Sequence, residues 1–278
     1  MANSDLLFFD MDEIRVLATG LHFPEGPEVD AFGNVWCVEQ EGAGLFCLKP
    51  NGTTKRIHTG GRPNGLLCHQ GHLWFCDSGY NAIRRMNLAT ESIETVISHV
   101  NNKPLDMPND LLFDDQGNLI VTCPGSPDDE QPGYVIVYSS TGSAEIIAEG
   151  LNYPNGLVLL PDRQTLLISE THQQRIWGGY WDAKNLSWET IRVWTPLVDN
   201  PTNSDIPGPD GMAVGPDGNV YVAVFGSGMV RVFSDEGQFM RDIHLPGQNP
   251  SNCTFDSIGE LGLIVTETER GELLSIAV

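Results

Sequence analysis

The chain has 278 residues and a formal net charge of −22, with 15 basic side chains against 37 acidic ones. Nucleic acid would be repelled by such a surface, and no Lys/Arg cluster offsets the repulsion. A hydrophobic share of 40% fits a globular chain rather than a disordered one, and no apolar run approaches the roughly 18 residues of a membrane helix.

The first ten residues lack the basic region and apolar core of a signal peptide. The six cysteines (Cys37, Cys47, Cys68, Cys76, Cys123 and Cys253) show no C-x-x-C spacing. Five of them sit in or beside apolar runs. They read as reduced core residues of a cytoplasmic protein, with a Cys68–Cys76 bridge as an alternative.

The first strand-like run is Ile14–Ala18. After it one phrase recurs six times: a proline, a variable residue, a small or polar residue, an apolar run, a turn and a second apolar run. The six openings are Pro24-Glu25-Gly26, Pro63-Asn64-Gly65, Pro108-Asn109-Asp110, Pro154-Asn155-Gly156, Pro209-Asp210-Gly211 and Pro250-Ser251-Asn252. The prolines are 39, 45, 46, 55 and 41 residues apart. Periods of roughly 40–50 residues with four strands each predict an all-β, six-bladed β-propeller formed by residues 1–278 as a single domain. Third strands are expected at Gly44–Leu48, Ala82–Met86, Gly133–Tyr138, Arg175–Tyr180, Gly228–Phe233 and Glu272–Ala277. Fourth strands are expected at Thr54–His58, Ser92–Ile97, Ala144–Ala148, Thr190–Trp194 and Met240–Ile243. The sixth repeat ends after three strands, so Ile14–Ala18 is expected to supply its outer strand and close the ring.

The variable residue stands just before the innermost strand of each blade. The six positions, Glu25, Asn64, Asn109, Asn155, Asp210 and Ser251, should therefore form one ring at one mouth of the channel. All six carry oxygen. Turn chemistry alone favours Asn and Asp, but it does not explain Glu25. Two carboxylates with several amide oxygens suit a hard divalent cation, which would also relieve their mutual repulsion. The absence of Cys and His argues against a tetrahedral zinc site. The calcium-like turns at Asp30–Asn34, Asp114–Asn118 and Asp217–Asn219 belong to the opposite mouth and are expected to be turns only. The links from second to third strand return to the ring's mouth. The longest, Pro124–Pro132, is expected to be a mobile rim. His172, Tyr80, Trp36 and Phe225 are further candidate substrate contacts.

Five phrases carry a family resemblance: Phe23-Pro-Glu-Gly-Pro27, Met107-Pro-Asn-Asp-Leu111, Tyr153-Pro-Asn-Gly-Leu157, Glu170-Thr-His-Gln-Gln-Arg-Ile176 and Gly208-Pro-Asp-Gly-Met-Ala213. In this order the chain resembles the SMP-30/gluconolactonase/luciferin-regenerating-enzyme family over its whole length. The resemblance implies a six-bladed propeller with one divalent ion, calcium first, with zinc, magnesium or manganese as alternatives. It also implies hydrolysis of a small lactone. The family's metal ligands map onto Glu25, Asn155 and Asp210, with Asn109 as a further ligand or a substrate contact. Asp210 matches the proposed general base, with a water activated by the ion as the competing nucleophile source. Asn64, Met107 and His172 complete the expected substrate-binding set. Two departures, Met107 where many members carry Arg and Cys123 where many carry Asp, argue against a polyol lactone. Two rival readings are a non-catalytic binding propeller with a structural calcium ion, and an ester or organophosphate hydrolase using the same site. Oligomeric state is left open.

Overall fold

A computed structural model describes residues 13–126, 131–197 and 208–278. Six four-stranded antiparallel sheets stand around a central channel as the blades of a β-propeller, with a small hairpin of His99–Val100 and Lys103–Pro104 between blades two and three. The only helical piece among the described residues is the 3-10 turn Thr171–Gln173.

Each blade presents both faces to its neighbours, so its middle strands are apolar without alternation. Val35–Glu39, Leu119–Cys123 and Leu263–Glu267 are buried at every position. Outer strands meet solvent and alternate, as Thr54–His58 does. The core is accordingly divided among the blade interfaces. One cluster joins Trp74, Cys76 and Ile83 of blade two to Leu111, Val121 and Ile136 of blade three. Another joins Ile264 and Leu273 of blade six to Val35, Cys37 and Phe46 of blade one. All six cysteines are free, so no Cys68–Cys76 bridge forms.

The ring closes as the repeat count requires. Ile14–Ala18 runs antiparallel to Glu272–Ile276, pairing Ile14 with Ile276 and Val16 with Leu274, and completes the last blade. The third and fourth strands lie where the sequence places them. The largest differences are longer outer strands, Ala144–Leu151 and Ser187–Pro196.

The three calcium-like turns are saturated by their own hydrogen bonds. Asp30 Oδ1 accepts from the Phe32 and Asn34 amides, and its Oδ2 accepts from Asn34 Nδ2 and from Trp36 Nε1 at 2.9 Å. Asp114 repeats the pattern with Gln116, Asn118 and Trp181. Asp217 is held by Asn219 and Tyr221. These carboxylates organise turns, and Trp36 belongs to that scaffold rather than to a substrate site.

Candidate functional site

The geometry of the site begins with an irregularity that the first strands share. In five blades the strand register shifts at the variable residue or directly beside it: between Glu25 and Glu28, Pro63 and Leu66, Pro154 and Leu157, Pro209 and Met212, and Pro250 and Asn252. A bulge there breaks the pleat and re-aims the preceding side chain. In blade three the regular strand starts only at Leu111, while the Asn109 amide still donates to Thr122 O at 2.9 Å. The small residue that follows the variable one is required by close approach. A Cβ on Gly211 would lie 2.0 Å from Asn252 Cγ, and one on Gly156 would lie 2.4 Å from the Asp210 carbonyl.

All six ring residues are buried. Five of them, Glu25, Asn64, Asn109, Asn155 and Asp210, line a single cavity of about 210 Å³. Ser251 departs from the expected ring. Its hydroxyl donates to Pro24 O at 2.8 Å and contacts Thr266 Oγ1 at 2.9 Å, so it fastens blade six to blade one instead of facing the cavity.

The second-to-third-strand links return to this mouth, as strand order demands. Gln40, Ser78, Pro124, Thr171 and Phe225, each from a different link, line the same cavity. Pro124 places the start of the Pro124–Pro132 loop there. Residues 127–130 of this loop lie outside the described set.

Hydrogen bonding fixes how the ring residues point. Thr171 Oγ1 donates its one proton to Pro209 O at 2.8 Å. It must then accept from Asn155 Nδ2, 3.2 Å away. That leaves Asn155 Oδ1 as a free donor atom for a cation. The backbone is held just as closely: Thr122 Oγ1 donates to Asn155 O at 2.7 Å, and Ser169 Oγ to Asp210 O at 2.9 Å.

Residues 23–268 match the family model for the SMP-30/gluconolactonase/LRE-like region. The chain belongs to this family. A gluconolactonase from Zymomonas mobilis is 28% identical over 279 residues, covering 89% of this chain and 77% of that protein. The structure of a gluconolactonase from Xanthomonas campestris superposes with a TM-score of 0.81 at 25% identity, covering 96% of this chain and 90% of that one. A calcium-binding regucalcin from Agrobacterium tumefaciens shares the fold, with a TM-score of 0.82 at 19% identity and coverages of 96% and 94%.

In this family member the ring is electrostatically frustrated. Burial pushes the Glu25 carboxyl up to about 8, and the charge of Asp110 pushes the same way. Burial, then Glu25 and Asp110, raise Asp210 well above the usual carboxylate range, against smaller opposing hydrogen bonds from Asn155 and Gly211. Asp110 itself is raised to about 6 by burial, opposed by the Leu111 amide, Asn252 and Leu157. The ring supplies two acids and three amides. Among the described residues no three His, Cys, Asp or Glu side chains gather as a metal cluster. The five ring side chains that line the cavity are carboxylates and amides, whose oxygens suit a hard divalent cation better than a softer metal.

The other expected contacts separate. Met107 and Phe225 line the cavity. His172 does not: it is exposed and stacks on Tyr153, with centroids 4.7 Å apart. Tyr80 lies outside as well, 56% exposed beneath the Arg84 guanidinium. Sequence reasoning missed Phe23, Arg62 and Tyr153, yet the repeat held the signal. Together with Met107 they stand two residues before the ring position, and all four line the cavity. Phe23, Met107 and Tyr153 have φ of 54°, 46° and 63°. Bulky side chains rarely adopt this left-handed backbone, and here it turns them over the cavity.

Proposed function

We propose that this chain is a divalent-metal-dependent hydrolase that opens a small lactone. The observation that carries the reading is the cavity itself. Buried acids and amide oxygens lie on its floor, and apolar side chains wall a space open enough for a small ring. Glu25, Asn109, Asn155 and Asp210 would hold one cation, calcium by the hardness of the donors. When bound, such an ion supplies electrophilic polarisation of the lactone carbonyl and stabilises charge on its oxygen.

The chain's own residues do the rest. Asp210 is the candidate base that takes a proton from the attacking water. In the ion-free site burial and the neighbouring Glu25 raise this carboxyl, and a bound cation would lower it again. Thr171 and Ser169 keep Asn155 and Asp210 in place. Phe23, Met107, Tyr153 and Phe225 exclude water and favour an apolar ring face, which agrees with a lactone poor in hydroxyl groups. Asn64 offers an amide to the substrate from outside the ligand set. The names of the Zymomonas and Xanthomonas relatives support lactone hydrolysis, and that of the regucalcin supports calcium.

Acid release on mixing calcium-loaded protein with a panel of lactones, aryl esters and phosphotriesters tests this reading. Turnover of lactones above the other two classes is expected. Turnover of phosphotriesters alone would transfer the site to the rival hydrolase reading, and no turnover of any class would favour a binding propeller.

A further inference from the structure

Arg62 is the single basic side chain among the residues that line the cavity. It stands exposed at the mouth. Its backbone amide donates to Asp77 Oδ1 at 2.8 Å, and its Nε donates to Gln40 Oε1 at 3.1 Å. The nearby acid does not claim its guanidinium. Asp77 Oδ2 is taken by Arg84 Nη1 at 2.8 Å, and Oδ1 also accepts the Gly79 and Tyr80 amides. Among the described residues no carboxylate pairs with Arg62, although the chain carries 37 acids. Gln40 thus holds Nε, and among the described residues the two Nη atoms of this cavity-lining side chain have no hydrogen-bond partner.

We propose that Arg62 selects lactones carrying a carboxylate substituent, bound through its Nη1/Nη2 edge while the lactone carbonyl lies over the ring oxygens. The inference rests on the hydrolase reading and names its substrate class. A divalent cation would cancel the two ring carboxylates, leaving Arg62 as the net charge of the lining. A planar carboxylate matches the planar guanidinium edge, and Gln40 has already removed much of the side chain's freedom. The side chains of Phe23, Met107, Tyr153 and Phe225, which line the same cavity, take the apolar face of the ring. The protein's overall negative charge would slow the approach of an anion, so the preference is built locally and should weaken with salt.

The test compares γ-valerolactone with 5-oxotetrahydrofuran-2-carboxylate, the same ring with and without the anion, on calcium-loaded wild-type chain and Arg62→Gln. Wild type should prefer the carboxylate. In Arg62→Gln its kcat/KM should fall roughly tenfold or more, mainly through KM, with γ-valerolactone unaffected. Equal losses on both lactones, or no loss on the carboxylate, would overturn the assignment. If neither lactone is opened, calorimetric binding of 2-hydroxyglutarate against 4-hydroxypentanoate decides. Tighter, Arg62-dependent binding of the dicarboxylate would support the anion site while ending the lactonase reading. Binding indifferent to Arg62 would overturn the anion site.

Discussion

At the scale of single residues, the site depends on where each hydrogen bond is spent. Asp210→Asn keeps an oxygen at the ring but removes one charge and the candidate base. Its turnover should fall below detection, and calorimetry should show weaker calcium binding. Thr171→Val keeps the shape of the side chain but frees the Asn155 amide to rotate. Outer-shell partners of metal ligands commonly change affinity by roughly 10–100-fold, so a loss of that order is expected, with Thr171→Ser restoring it. A purely structural role for Thr171 would lower thermal stability without this split. Asn64→Ala should leave calcium affinity nearly intact and raise KM. The ring was legible in the sequence because one repeat position carried oxygen six times. Ser251 carries oxygen too, but its hydroxyl is engaged by Pro24 O and Thr266 Oγ1 beside Glu25, and it does not line the cavity.

At the scale of elements, the strand bookkeeping was readable because each blade repeats one phrase. Ile14–Ala18 was assigned to the last blade from the missing fourth strand, and it pairs there. Deleting residues 1–20 should uncover the Glu272–Ile276 edge, lower the thermal midpoint and promote aggregation, which light scattering would report. Unchanged solubility and melting would mean that the clasp contributes little. The left-handed turns at Phe23, Met107 and Tyr153 were not legible. Residue type gives no sign of them, because bulky side chains rarely adopt positive φ. His172 shows the converse: its motif is conspicuous in the sequence, yet its ring stacks on the back of a cavity residue, Tyr153.

At the scale of the whole molecule, buried acids at the centre should couple stability to pH and, on the proposed reading, to calcium. Glu25 is raised to about 8 in the folded chain. A raised carboxyl contributes stability below its unfolded value, and that contribution is lost as pH rises through the folded one. The chelated protein should therefore melt at lower temperature at pH 8 than at pH 5. On the proposed reading calcium should restore more stability at pH 8, since it would bind the ionised ring and link blades one, three, four and five. A saturating ion at about 100 times its Kd would add about 2.7 kcal/mol. A melting temperature indifferent to pH and calcium would separate the ring from the fold's stability. The most direct test of the central claim is the rate of lactone opening by chelated protein as free calcium is raised in a buffered series. The account predicts no turnover without the ion, saturation with one ion per chain, and no recovery in Asp210→Asn. Full activity after exhaustive chelation would contradict it.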